Sequence, residues 1–263
     1  MIDLTKYGPW AFVVGGSEGV GAAFADELAR AGINLVLLAR KTGPLEETAA
    51  KARTFGVEVR TLSIDLLAVD SVDQIRRATT GLDIGMMIFN AGANTYGHEF
   101  VTGDLEACRD VITLNVDRQL ELTQLFGAPM RDRGRGGIIL VGSLAGFVGS
   151  EGMSIYSAAK AFSRIFAEGL WLELGEHGVD VVELILGVTR TPAMERAGLN
   201  FDLPGLNASD PQHVAREGLE HLTDGPIWVV ESNYELAVQR VGFPRAEIVR
   251  SASEEARAMM GRA

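Results

Sequence analysis

Cysteine is almost missing from this chain. Its 263 residues include one, Cys108, which excludes an intrachain disulfide and leaves no second thiol for a metal-ligand cluster. Cys108 lies in the helix-like stretch Leu105-Glu106-Ala107-Cys108-Arg109, where a small buried hydrophobe is favoured over a nucleophile. Basic residues are also few: 24 Lys plus Arg against 35 Asp plus Glu leave a net charge of −11. That charge repels nucleic-acid backbones and anionic membrane surfaces. A local cradle of N–H groups and one Arg can still hold an anionic ligand, because salt screens distant charge over about 10 Å. No apolar run approaches the roughly 18 residues of a bilayer span. The start Met1-Ile2-Asp3-Leu4-Thr5-Lys6 lacks the basic region and apolar run of a signal peptide. A cytoplasmic chain with no membrane span and no nucleic-acid partner is expected. Internal repeats, low-complexity tracts and linkers are absent as well. His98, His177, His213 and His221 have no metal-ligand spacing, so no metal is expected.

What is present is apolar surface for a substantial core, with 47% hydrophobic residues, and a repeating alternation of elements. Ala11-Phe12-Val13-Val14, Asn34-Leu35-Val36-Leu37-Leu38, residues 57–62, Gly85-Met86-Met87-Ile88-Phe89, Ile138-Ile139-Leu140-Val141, residues 179–186 and residues 226–231 have strand length. Segments of helical period separate them. Continuously apolar strands, rather than alternating ones, suit a parallel sheet covered on both faces. The expectation is an α/β protein: a single-domain Rossmann fold with a doubly wound, seven-stranded parallel sheet and helices on both faces. About 20 irregular residues near 190–210 read as a lid rather than a domain boundary. A charged, helix-prone tail follows from about 241 to 263.

The first strand runs straight into Val14-Gly15-Gly16-Ser17-Glu18-Gly19-Val20-Gly21. Gly15, Gly19 and Gly21 suit a tight turn, close approach of backbone to a pyrophosphate, and close helix-on-strand packing, while Ser17 and Val20 sit at the helix N-terminus whose N–H groups favour an anion. A plain flexible loop is the competing reading. A cofactor with a free ribose 2′-hydroxyl calls for an acidic residue about 20 residues onward. The second strand ends instead in Leu38-Ala39-Arg40-Lys41. Arg40 suits a 2′-phosphate, with Ser17 and Lys41 as helpers, which selects NADP(H) over NAD(H); the alternative is an exposed Arg at a strand end. Asp65, beside Leu66 in Ser63-Ile64-Asp65-Leu66, reads as an acceptor for an adenine amino group or as a turn residue. Asn90, Ala91 and Gly92 end the fourth strand, where small residues let a loop pass a bound cofactor or simply turn.

Tyr156 and Lys160 are four apart in Ser154-Ile155-Tyr156-Ser157-Ala158-Ala159-Lys160, so both fall on one helix face. A free phenol titrates near pH 10 and is a poor base at neutral pH. One ammonium about 4 Å away in an effective dielectric near 20 supplies roughly 4 kcal/mol, enough to lower that value by two to three units. Ser143, at a strand end in Val141-Gly142-Ser143, can meet the same substrate oxygen as Tyr156. Asn115 sits within the apolar run Ile112-Thr113-Leu114-Asn115-Val116, where a polar side chain needs a reason.

On these motifs the chain resembles the short-chain dehydrogenase/reductase family from about Trp10 to about Glu231, and its long ending is similar to that of 3-ketoacyl and steroid reductases. The resemblance implies that Tyr156 is the catalytic acid/base. It implies that Ser143 orients and polarises the substrate oxygen, and that Lys160 lowers the phenol and binds the nicotinamide ribose. Asn115 is implied to hold a water that extends a proton path from Lys160. Thr189 and Thr191 stand where contacts to the nicotinamide carboxamide are expected. The resemblance also implies residues 1–263 as one NADP-binding domain and a homodimer or homotetramer formed through the helices bearing Asn115 and Tyr156. Two positions depart from the family pattern: Val14 replaces a Thr that ties the turn to the Asn90 segment, and Leu186-Gly187 replaces a Pro-Gly pair.

The reaction expected is NADP(H)-dependent interconversion of a ketone and a secondary alcohol. Pocket segments 93–103, 144–155 and 190–209 carry Phe147, Met153, Met194, Leu199 and Phe201. They suit a fairly apolar substrate such as a steroid, fatty-acyl or aromatic ketone, and ordinary lid packing explains the same residues. An NADP-sensing regulatory protein, or a cofactor-recycling epimerase or dehydratase, are the alternatives.

Overall fold

Seven apolar runs pair, side by side and all parallel, in the order β3-β2-β1-β4-β5-β6-β7. The computed structural model describes residues 3–92, 97–203, 206–230 and 233–260. The strands are β1 (Trp10–Val14), β2 (Asn34–Ala39), β3 (Val59–Ser63), β4 (Ile84–Phe89), β5 (Gly136–Ser143), β6 (Val179–Leu186) and β7 (Ile227–Val229). Between and after them lie α1 (Gly19–Arg30), α2 (Thr42–Arg53), α3 (Ser71–Thr79), α4 (Leu105–Ile112), α5 (Arg118–Asp132), α6 (Ser154–Gly175), α7 (Pro192–Arg196), α8 (Pro211–Glu220), α9 (Tyr234–Arg240) and α10 (Arg245–Met259). This is the expected doubly wound Rossmann architecture.

The period of two along each strand sorts its side chains between two cores. Ala11 and Val13 of β1 join Phe24 and Leu28 of α1, Leu45 and Ala49 of α2, and Val214 and Leu219 of α8. Trp10, Phe12 and Val14 face the other way, onto Ile75 of α3, Phe126 and Met130 of α5, and Ala167 and Leu170 of α6. Burial on both faces explains why β1 and β4 are apolar at every position. The edges differ: β3 exposes Arg60 and Ser63, and β7 is three residues long, which limits pairing with a foreign strand.

Strand order reverses between β1 and β4, which pair from Trp10↔Ile84 to Val14↔Phe89. The loops leaving their carboxyl ends diverge and open the crevice in which such sheets bind ligands. Residues 190–208 leave the fold and return to one point, where Thr189 bridges Ser209 and Arg190 N donates to Ser209 O at 3.0 Å. That excursion spans the segment read from sequence as a lid, and α7 is its one helix among the described residues. The tail is helical and folds back: Glu151 N donates to Ser253 Oγ at 3.1 Å, and Asn200 N donates to Met259 O at 3.1 Å. α10 thereby braces both the loop before α6 and the lid. No helix is long and apolar enough, among the described residues, to cross a membrane.

Candidate active site

The glycine turn after β1 is held from below and from the side. Gly15 N and Gly16 N both donate to Leu38 O, at 2.8 and 3.0 Å, and Asn90 Nδ2 donates to Gly15 O at 3.1 Å. Val14, in place of the hydroxyl residue, is fully buried, and Asn90 supplies the tie from the β4 side. Gly15 at φ +83° and Gly19 at φ +56° take a left-handed backbone that suits glycine. Gly21 leaves no room for more: a Cβ there would lie 2.0 Å from Gly15 O and 2.7 Å from Asn90 Nδ2. α1 begins at once, and its N-cap Glu18 makes no capping hydrogen bond. The first-turn N–H groups of Gly19, Val20 and Gly21 therefore have neither an intrahelical acceptor nor a capping side chain. The Glu18 carboxylate instead pairs with both terminal nitrogens of Arg196 on α7, joining lid to turn.

Arg40 and Lys41 are exposed at the end of β2 and have no ion-pair partner among the described residues. Ser17 is half-buried on the adjoining turn, where its carbonyl accepts from Thr48. Asp65 Oδ1 accepts from Leu67 N at 3.0 Å, the turn role, and Leu66 is buried. A residue that sequence reading passed over secures this segment. Arg118, buried on α5, donates from Nε to Leu66 O at 2.6 Å and from a terminal nitrogen to Ala68 O at 3.2 Å. These groups and the glycine cradle fit a dinucleotide carrying a 2′-phosphate: close backbone, free helical N–H donors, and uncommitted cations at the strand end.

The chemical end of the crevice is built by β5 and α6. Ser143 closes β5, and its Oγ accepts from Ala145 N at 3.1 Å, which leaves its proton to donate. The following 3-10 turn, Leu144–Phe147, lies against α6 so tightly that a Cβ on Gly146 would sit 2.9 Å from the Lys160 carbonyl. Tyr156 and Lys160 occupy the first turns of α6 on one face, as expected, with Lys160 Nζ 5.8 Å from the centre of the Tyr156 ring. Burial pushes the Tyr156 phenol above its ordinary value, while the Ser143 hydroxyl beside it pulls downward. In this site desolvation is the larger influence on Tyr156 and the Ser143 hydrogen bond the opposing one, and Lys160 lies farther from the phenol ring than the 4 Å pair assumed from sequence. Lys160 is buried, and its Nζ donates to Val141 O at 2.9 Å. Burial lowers its ammonium to about 8, against the attraction of Glu183.

Asn115 lies in a π-helical turn, Thr113–Asp117, which joins α4 to α5. The extra residue of such a turn re-aims side chains and often marks a functional position. Asn115 is buried, and its Nδ2 donates to Val111 O at 2.9 Å. Gly92, at φ +133°, passes directly over it: a Cβ there would be 2.5 Å from Asn115 Oδ1 and 3.3 Å from Lys160 Nζ. Asn90, Ala91 and Gly92 thus connect the glycine turn to Asn115 and Lys160. Thr189 is buried and Thr191 caps α7 through Met194 N at 3.3 Å. Thr191 also touches the turn, since a Cβ on Gly19 would meet its Cγ2 at 2.9 Å. In Leu186-Gly187 the glycine has a local reason: a Cβ on Gly187 would fall 2.4 Å from Asn233 Oδ1; nothing in the structure explains Leu186. Of the expected pocket segments, residues 93–96 and 204–205 lie outside the described residues, as do Glu231 and the final residues 261–263 of the tail. Cys108 is buried on α4. Among the described residues no cluster of His, Cys, Asp or Glu could hold a metal.

The chain belongs to the short-chain dehydrogenase family of oxidoreductases: the family model described as short chain dehydrogenase matches residues 9–200. It is 31% identical over 218 residues to a 7beta-hydroxysteroid dehydrogenase of Clostridium sardiniense, covering 82% of this chain and 83% of that protein. It is 30% identical over 226 residues to a very-long-chain 3-oxoacyl-CoA reductase of Mus musculus, covering 84% of this chain and 72% of that one. Among solved structures, a short-chain dehydrogenase from Sphingobium yanoikuyae in complex with NADPH superposes with a TM-score of 0.77 at 32% identity, covering 88% of this chain and 92% of the other.

The packing at the turn has a measurable consequence. Gly21→Ala is expected to weaken dinucleotide binding by about 10-fold to 100-fold, the equivalent of one to three kcal/mol of overpacking. Fluorescence titration with NADPH reads the affinity and circular dichroism checks the fold. Unchanged affinity in a folded variant contradicts the tight turn.

Proposed function

We propose that this chain is an NADP(H)-dependent oxidoreductase that interconverts a ketone and a secondary alcohol, with Tyr156 as the acid/base. The observation that carries this reading is the convergence of Ser143, Tyr156, Lys160 and Asn115 on one end of the crevice, joined to the phosphate turn by the Asn90-Ala91-Gly92 loop. A protein that only sensed a dinucleotide would need the turn without the other four. Two relatives carry names for chemistry at a hydroxyl or oxo group on a long apolar skeleton, one a hydroxysteroid and one a very-long-chain acyl thioester. The lid offers matching surface in Met194, Leu199 and Phe201, with Phe147 at the loop before α6. A steroid, fatty-acyl or similarly bulky apolar ketone is the substrate class we assign. α5 and α6 also expose Leu120, Phe162, Ile165 and Leu172, apolar surface that supports pairing of two copies through these helices.

NADPH, when bound by Gly15, Ser17, Gly19, Val20, Gly21, Arg40 and the loop at Asn90, supplies the hydride for the carbonyl carbon. Tyr156 gives its phenolic proton to the carbonyl oxygen, and Ser143 donates a hydrogen bond to the same oxygen as charge develops there. The Lys160 ammonium stabilises the phenolate left behind. Asn115 holds a water through which Lys160 and Tyr156 recover the proton. A phenol raised by burial stays protonated at neutral pH, which suits it to donate and favours the reductive direction.

Three outcomes are expected. Tyr156→Phe reduces ketone turnover by about 10²-fold to 10⁴-fold, the usual share of a general acid, with NADPH affinity nearly retained; near-normal turnover removes Tyr156 from the role. Arg40→Asp replaces a phosphate-binding fork by a carboxylate suited to a free ribose, so the ratio of kcat/KM for NADPH to that for NADH should fall below one. A ratio that does not move assigns NADP selection elsewhere. Lys160 carries its charge below about pH 8 and loses it above. Steady-state reduction should therefore hold through neutral pH and decline above that point. A rate that climbs across the same interval contradicts the assignment.

A further inference from the structure

Strand β6 reads Val181-Val182-Glu183-Leu184-Ile185-Leu186, one carboxylate in an apolar run. Glu183 is fully buried. It sits mid-sheet, registered with Leu140 of β5 and Ile227 of β7. Val182 and Leu184 on either side pack into the core under α1 and α8, so by strand alternation Glu183 faces α6. β5 makes room for it through Gly142, where a Cβ would lie 2.7 Å from the carboxylate. Neither carboxylate oxygen has a hydrogen-bond partner of normal geometry among the described residues. The nearby Ser163 hydroxyl accepts from Gln119 Nε2 of α5 at 3.0 Å, and its own proton, turned toward Glu183, pulls the carboxyl downward.

A carboxylate placed in a dry sheet with no close hydrogen-bond partner but the adjoining Ser163 hydroxyl is costly, and any aliphatic side chain would pack there more cheaply. Its neighbours show what it acts on. The ionisable groups that face it all come from α6: Lys160 and Arg164 attract it, and Glu168 repels it. β5 and β7 present Leu140, Gly142 and Ile227, and α5 presents the neutral Gln119. Arg164 is already shared between Glu168 at 3.4 Å and the Phe147 ring at 4.8 Å. Lys160, in contrast, has one neutral acceptor, the Val141 carbonyl on the strand beside Glu183. No direct salt bridge joins Glu183 to Lys160, so the two interact across low-dielectric space, where attraction reaches further than in water.

We propose that Glu183 is a positioning residue that keeps the Lys160 ammonium charged from beneath the active site, extending the catalytic line to carboxylate, ammonium and phenol. The proposal rests on the roles given above to Lys160 and Tyr156. Glu183 touches neither substrate nor cofactor; it acts through Lys160. Burial against a net attractive field holds the Glu183 carboxyl up near about 7, and its charge in turn raises Lys160 against the lowering by burial. With the carboxyl raised above its ordinary 4.5, the folded chain keeps a proton that the unfolded chain has released between those values. Folding stability therefore falls as pH rises through that window.

The test uses the full chain without cofactor and a second readout with it. Melting temperature against pH is measured for the wild type, Glu183→Gln, Lys160→Met and the double variant. The wild type should lose melting temperature between about pH 5 and about pH 7, Glu183→Gln should not, and the two single changes should be non-additive. In turnover, Glu183→Gln should move the alkaline limb of ketone reduction down by about one pH unit, a loss of about 10-fold in kcat/KM on that limb. Wild-type and Glu183→Gln limbs that superpose, or additive melting effects in the cycle, overturn the proposal. If Glu183→Gln does not fold, Glu183→Leu gives the same comparison with an apolar filler. Failure of the parent reading is seen separately, as normal turnover in Tyr156→Phe, and leaves the melting cycle interpretable.

Discussion

The contact on which the site depends is the clamp between two strand ends, Asn90 Nδ2 to Gly15 O at 3.1 Å, with Gly21 pressed beneath the same carbonyl. The clamp sits where the strand order reverses. It aligns the start of α1 with the loop that crosses Asn115 and Lys160, so the glycine turn and the Tyr156–Lys160 end share one reference. Without a Cβ at Gly21 or Gly92 the backbone can come this close; with one, the two ends would be pushed apart. The two cores above and below β1 and β4 keep that reference still.

A second constraint is electrostatic. Asn115 and Lys160 are buried beside the carboxyl ends of the strands and Glu183 in the middle of β6, where charge is expensive and every partner counts. Burial raises the Tyr156 phenol and lowers the Lys160 ammonium. The two shifts oppose charge separation in the resting site and keep the proton on Tyr156. A lysine this exposed to desolvation needs negative charge nearby to remain an ammonium, and β6 contributes it from the sheet beneath α6. The segment that leaves at Thr189 and returns at Ser209 is tied to the turn by the partly exposed Glu18–Arg196 ion pair, of a kind that contributes about 0.2–1 kcal/mol, and to α10 by the Asn200–Met259 backbone hydrogen bond.

The sheet was legible in sequence because strands buried on both faces are continuously apolar and short turn residues punctuate them; all seven runs are strands. That Ser143 closes a strand and that Tyr156 and Lys160 share one helix face was legible from the strand-end position of the serine and a spacing of four. Other features had no local signal. The π-turn that aims Asn115 depends on how α4 and α5 meet, and Arg118 reveals its hold on Leu66 only when α5 lies under the β3 loop. Glu18 looked like part of a phosphate turn and proves to be half of a link to Arg196 on α7. Glu183 did leave a trace, a lone carboxylate among five aliphatic residues, but its meaning depends on which helix covers that face.

The central claim is that Tyr156 is a half-buried proton donor whose phenolate is stabilised by the Lys160 ammonium. Ultraviolet difference titration of the phenolate measures it directly, with Tyr156→Phe subtracted to isolate the one phenol and Lys160→Met as the comparison. The account predicts that loss of the ammonium moves the Tyr156 titration to higher pH. A Tyr156 titration that stays in place when Lys160 is removed would contradict it.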